Sequence, residues 1–257
     1  VEDVYRPVSR FLLYQISYAV SPVSFSVAEV FLFIALLCIF VAILRLLYVL
    51  ITGPRRIKYL LLFILRGVLI AAISGLLFYT LWGVNYNAEP LSATLGLDVK
   101  EREADELAAM NEYLCKKANF YSLQIKRDGD GNPAERDFSE LSHKVALRFS
   151  EFTGRNEVPV KYLLLSEHIS YMQISGIFIP YTGEANVNKN NVLSDLPFCM
   201  AHEMAHRYAI APEDEANFFS FYILEGSDDP FLAYSAYLAA IRYCQNALYQ
   251  ANYDEFA

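Results

Sequence analysis

Charge is in short supply in this chain. Charged residues make up 19% of its 257 positions, against 55% hydrophobic and 15% aromatic, where ordinary soluble domains carry about 25% charge. That deficit excludes a protein exposed to water along its whole length. Basic residues are outnumbered, 21 Lys/Arg against 29 Asp/Glu, and the excess of acid argues against a nucleic-acid partner. Cysteine is limited to four positions. Cys38 lies in an apolar run and Cys115, Cys199 and Cys244 lie further on, a set too small and odd for a disulfide scaffold, so reduced, buried thiols are expected. There is no internal repeat, no low-complexity segment and no cleavable signal peptide within the chain. The stretch "DGDGNP" lacks the glycine and glutamate of a calcium loop, with Pro133 and Ser139 standing in their places, and reads as a surface turn.

The missing charge is missing in two places. From Val27 to Leu44 Glu29 is the single charged residue, and from Tyr59 to Gly83 Arg66 is the single one. The first run, extended through Leu50, makes a helix of about 36 Å, enough for a hydrocarbon core of about 30 Å. Arg45 and Arg66 either snorkel, pair structurally or serve function. Between the runs, "TGPRRIKY" joins a Gly53-Pro54 turn to Arg55, Arg56 and Lys58, which by the positive-inside rule faces the cytoplasm. Residues 27–83 are then two transmembrane helices with a cytoplasmic loop at 53–58, and residues 84–257 form an extracytoplasmic domain. Charge divides the same way: residues 1–83 hold seven Lys/Arg and three Asp/Glu, net +4, leaving 14 and 26, net −12. Residues 1–26, with Arg6 and Arg10 among Phe11, Leu12, Leu13 and Ile16, read as an interfacial, juxtamembrane segment. Their outward placement and the valine at position 1 lead us to expect an earlier span ahead of them.

In the outer part, Asp98 is an expected N-cap for a helix with Leu107, Met110, Leu114 and Ala118 at helical spacing, and a second helix is expected over about 138–152. "VKYLLL" and "GIFIPYTGEANVN" are rich in β-branched and aromatic residues and read as short strands. From Ser194 onward the chain reads as helical, broken at "GSDDP".

Two of the four histidines fall in "LPFCMAHEMAHRYAIAPEDEANFF". With Ser194 and Asp195 as caps and Pro197 in the first turn, His202 and His206 share one helical face and aim both imidazoles at one point, as a tetrahedral zinc ion requires. Glu203, about 100° round the helix, reaches the same rim, where it can take a proton from water. Such a pattern arises by chance in roughly 0.3% of chains of this composition. Pro212 opens a new helix, so Glu213 starts it. Asn217, one turn on, shares its face, whereas Glu215 lies about 200° away. Glu213 is thus the candidate third ligand and Asn217 the residue that would hydrogen-bond a ligating imidazole. Asp214 and Glu215 read as helix-dipole carboxylates.

"HEMAH" followed by "EDEAN" resembles the glutamate-zincin peptidases, whose second helix carries Glu-x-x-x-Asp or Glu-x-x-x-Asn. Together with "FSVAEV", "LWGVNYN", "GIFIPYTGEANVN" and "DPFLAYSAYLAA", it makes essentially the whole chain similar to an uncharacterised family of bacterial multi-span membrane proteins grouped with zinc metallopeptidases. The link from His206 to Glu213 is shorter than in thermolysin-like enzymes, and Asn217 stands where those have aspartate. The resemblance implies a membrane helical hairpin plus an α+β, mainly helical zincin-like domain with a small sheet, anchored in the bacterial cell membrane. It also implies a single zinc ion and a peptide or protein substrate, and a strand edge around Gly183, Glu184, Ala185 and Asn186 that pairs with extended peptide. Glu184 could bind a substrate amine or cap the turn. Among oxyanion donors the candidates are Tyr234 and Tyr237, with Arg242 behind them. The competing class is a membrane binding or sensor module with purely structural zinc, which would usually have four protein ligands. "HEMAHRYAIAPEDEAN" is too charged and broken to lie within lipid, which argues against an intramembrane protease.

Overall fold

The computed structural model describes residues 1–251, so residues 252–257 of the expected outer domain lie outside the described part. Helix α1 spans Tyr5–Val20, α2 Val27–Thr52 and α3 Arg56–Leu81, followed by a 3-10 turn at Gly83–Asn87 and short α4 at Leu91–Leu95. Helices α5 (Ala104–Ser122) and α6 (Phe138–Thr153) lead to strand β1 (Lys161–Tyr162) and helix α7 (Ser166–Tyr171). Strands β2 (Gly176–Ile179) and β3 (Glu184–Val187) precede helices α8 (Leu196–Arg207), α9 (Glu213–Leu224) and α10 (Pro230–Ala251). The chain is therefore mainly helical with one small sheet.

Helices α2 and α3 pair as a hairpin, each long and apolar enough to cross a membrane, with exposed apolar side chains on all sides. A helix apolar all round and not covered by protein is what a hydrocarbon solvent selects. Ser26 caps α2 by accepting from Glu29 N–H, and the Gly53-Pro54 turn separates the two.

Local chemistry accounts for most of the elements that follow α3. The first long helix begins at Ala104 rather than after Asp98, because Glu103 and Glu106 form a reciprocal capping box there. Asp137 caps α6 through Glu140 N–H, and Gly154 ends it in the left-handed region at φ 71°. In "DGDGNP" the Asp128 carboxylate accepts from Asp130 and Asn132 N–H, a tight surface turn. The core lies between α6, α8, α9 and β3, where Leu141, Phe149, Val187, Met200, Met204 and Phe219 are all buried. Strand order is β1-β3-β2, with β3 parallel to β1 and antiparallel to β2. No cysteine is paired among the described residues, and burial pushes the Cys199 thiol up to about 12.

Helix α1 is amphipathic, but its polar face is the one turned to protein. Arg6, Ser9, Leu13 and Ser17 are buried, whereas Val4, Val8, Phe11 and Leu12 are exposed along the opposite face. Arg6 and Arg10 each donate through Nε to the last turn beyond α8, to the carbonyls of Ala209 and Tyr208. Arg10 also stacks 3.9 Å above the Tyr208 ring. Residues 1–26 thus pack, through the polar face of α1, against the domain that follows α3.

Candidate metal centre

Helix α8 carries Pro197 in its first turn and no residue that opposes helix before Arg207, so His202 and His206 stack one turn apart. Their Nε2 atoms lie 3.1 Å from each other. The chain then leaves the helix through Ala209, held in the left-handed region at φ 64°, an uncommon conformation for a residue with a Cβ. This turn brings the Ile210 carbonyl to 2.8 Å from His206 Nδ1. A carbonyl can only accept, so Nδ1 carries the proton and the Nε2 lone pair faces outward.

Pro212 blocks continuation and starts α9 with Glu213 at its first position. The Glu213 carboxylate sits 3.1 Å from His202 Nε2 and 3.5 Å from His206 Nε2. These three side chains form the one cluster of metal-ligating type found among the described residues. A tetrahedral ion bonded at 2.0–2.1 Å places its ligand atoms about 3.3 Å apart, close to the 3.1–3.5 Å found here. With the His206 lone pair and two carboxylate oxygens converging, the centre needs a cation. Burial and the neighbouring His206 hold the His202 pKa below its ordinary value, against the pull of Glu213, so a proton is disfavoured in that role. The residues fit a metal ion. The Asn217 amide lies beside the His202 ring and favours its protonated form, yet buried His202 Nδ1 has no partner in bonding geometry. Glu215 points away, accepting from Leu91 N–H.

Glu203 is 5% exposed and lines the same pocket, of about 330 Å³, with Trp82, Gly176, Phe178, His202 and His206. Burial first, and the charge of Glu213 second, push its pKa up to about 8, while the Phe178 N–H favours the ionised form. A dication at the neighbouring ligands would draw the value back toward neutrality. Room for this carboxylate exists because residue 176 has no side chain: a Cβ there would stand 2.6 Å from Glu203 Oε1. A second groove of about 690 Å³ beside the start of α10 is larger, but its Arg136 and Lys144 are already paired with Asp229.

Three sequence expectations fail here for identifiable reasons. Gly183, Glu184, Ala185 and Asn186 offer no free edge, because β3 is the central strand with neighbours on both sides and is buried throughout. Gly183 packs on the Leu13 carbonyl of α1. Glu184 neither binds a substrate amine nor caps its own turn: it accepts from Val27 and Ala28 N–H and pairs with Lys161 at 2.7 Å. The free edge is β2, where the Ser175 carbonyl bonds to Asn188 N–H and the alternation turns the backbone of Gly176 and Phe178 away from β3. Tyr237 is not at the pocket either. It is 2% exposed, stacks on Tyr121 and donates to Glu225, because α10 packs against α5 rather than over the metal face. Tyr234 is half-buried in the same packing, and Arg242 pairs with Asp195.

Other contributors went unread. Trp82 reads in sequence as a membrane-interface residue, but its indole N–H donates to the His206 carbonyl at 3.1 Å and its ring stands edge-on to the imidazole at 6.0 Å. Gly176 carried a weak signal, a glycine opening a β-branched run. Gln173, at φ 57° on the pocket rim, carried none.

The family model described as "Protein of unknown function (DUF3810)" matches residues 2–257. No curated protein and no solved structure matches the chain.

Proposed function

The chain thus belongs to the DUF3810 family, and we propose that it is a membrane-anchored, zinc-dependent peptidase with a zincin-like domain outside the bacterial cell membrane. The observation that carries this reading is the convergence of His202, His206 and Glu213 at ion-binding spacing beside the buried carboxylate of Glu203. A zinc ion held there would supply Lewis acidity, polarising a carbonyl and lowering the pKa of water toward 7. Glu203 takes the proton from the attacking water and returns it to the departing amine, a role served by a base poised near neutrality. The Gly176 backbone and the Phe178 carbonyl on the β2 edge pair with an extended substrate while the Phe178 N–H holds Glu203, which sets the scissile bond before that carboxylate. Glu213 is exposed, so one side of the ligand set stays open to substrate, as catalytic rather than structural zinc requires.

The test is zinc content and cleavage of a peptide library by the purified full chain, wild type against Glu203→Gln. The expected result is zinc in both and turnover in the wild type alone, a loss of about 10²-fold or more. Zinc in both with cleavage by neither would instead mark a structural-zinc binding or sensor module.

A further inference from the structure

The pocket is fixed to the ends of the two apolar helices by bonds that leave little freedom. At α2, Glu184 accepts from Val27 and Ala28 N–H, and Glu29 accepts from Leu164 and Leu165 N–H. At α3, Ser9 donates to the Leu81 carbonyl and Asn85 donates to Ser9, and Trp82 follows at once with its bond to the metal helix. The residue that directly follows an apolar helix is therefore itself part of the wall of the pocket. Nothing resembling a linker lifts the site away.

The surroundings of the pocket fit the same level. Tyr181, in the β2–β3 turn, donates to the Ser74 carbonyl, a point eight residues before Trp82 and so about 12 Å back along α3. That turn hangs beside the apolar helix below the pocket. Tyr171 and Met172, 84% and 68% exposed, directly precede the pocket-lining run that begins at Gln173, and Val4, Val8 and Phe11 of α1 face outward. Apolar groups exposed in this way around a site mark a surface that meets lipid or another chain, and tryptophan and tyrosine favour the headgroup level.

We propose that the substrate is a polypeptide itself tethered in the membrane, cut within about ten residues of its own span. This rests on the peptidase reading and on α2 and α3 spanning the bilayer. Tyr181 and its turn stay out of the hydrocarbon only if the membrane boundary lies no higher than Ser74 on α3, eight residues below Trp82, so the bond to be cut stands on the order of 10 Å above the lipid. An extended chain covers that with about three residues at roughly 3.3 Å each, so a tethered partner meets the pocket directly and at a high effective concentration.

The experiment co-reconstitutes the zinc-loaded full chain in liposomes with a randomised cassette fused outside a transmembrane helix through spacers of about 5 or about 40 residues. The same cassette is also supplied as a free peptide, and Glu203→Gln is run alongside. Cleavage of the short-spacer form about tenfold or more faster than the other two, and lost in Glu203→Gln, is the expected result. Equal cleavage of free and tethered cassettes overturns the tethered-substrate proposal and leaves the peptidase reading standing, whereas no cleavage in any format overturns both. A second readout needs no activity. The chain has a single tryptophan, so Trp82 fluorescence should be quenched most by lipids brominated near the headgroup. Quenching by aqueous acrylamide alone would place the pocket away from the bilayer and overturn the proposal.

Discussion

Replacing Gly176 by alanine tests the placement of Glu203 without touching a metal ligand. The added methyl would meet Glu203 Oε1 at 2.6 Å, Glu203 Cγ at 2.8 Å and the Asn186 carbonyl at 2.9 Å. The carbonyl belongs to the central strand and cannot retreat, so β2 shifts at residue 176 and the Glu203 side chain gives way as well. Restoring ordinary contact at 3.4 Å moves its carboxylate by about 0.8 Å, and misplacement of about 1 Å costs on the order of 10²-fold in rate. Overpacking of this kind destabilises by about 1–3 kcal/mol, or roughly 2–10 °C in Tm for a chain of this size. Turnover, zinc content and thermal unfolding would be measured together, with Gly129→Ala as control because nothing lies within 4 Å of its Cβ. The expected pattern is zinc retained, modest destabilisation and turnover reduced about 30–100-fold. Wild-type turnover in Gly176→Ala would refute the reasoning, and zinc lost in step with activity would show that the strand supports the ligands rather than Glu203.

Two further outcomes follow from the same geometry. Glu213→Ala should lose zinc affinity by about 10²-fold or more, while Glu215→Ala should keep it, since Glu215 serves Leu91 N–H; equilibrium metal competition decides, and the reverse ranking would overturn the ligand assignment. Asp229 is held below its ordinary carboxylate range, burial being outweighed by its bonds to Arg136 and Lys144. A lowered folded pKa means the contribution is present above the unfolded value of 3.8 and fades as pH falls through the folded one. Asp229→Asn should therefore cost about 1 kcal/mol or less at pH 7, the pair being partly screened, and progressively less in melts below about pH 3.8.

The two long apolar helices, the convergence of His202, His206 and Glu213, and the phase of Glu213 and Glu215 were legible because each is written over a few residues by local rules: apolar length, one helical turn, a proline stop. What stayed hidden depends on partners distant in sequence. Nothing in "TGEAN" says that β1, more than twenty residues earlier, takes the outer flank of β3 and leaves β2 as the edge. Nothing in α10 says that Tyr237 turns toward α5 and Glu225. The burial of α1 by its polar face depends on partners far along the chain, the carbonyls of Leu81, Tyr208 and Ala209, acceptors that helix termini leave unsatisfied.

That last contact orders events during synthesis. Arg6 and its acceptor Ala209 are separated by 203 residues, which at about 5–20 residues per second means about 10–40 s between the emergence of one and the other. Helix α1 is thus held without its partner while α2 and α3 are made, and it closes over the end of α8 only once Tyr208 and Ala209 have emerged. His202, His206 and Ala209 follow one another within eight positions, so the turn that aims His206 finds its Arg6 brace already made when it emerges.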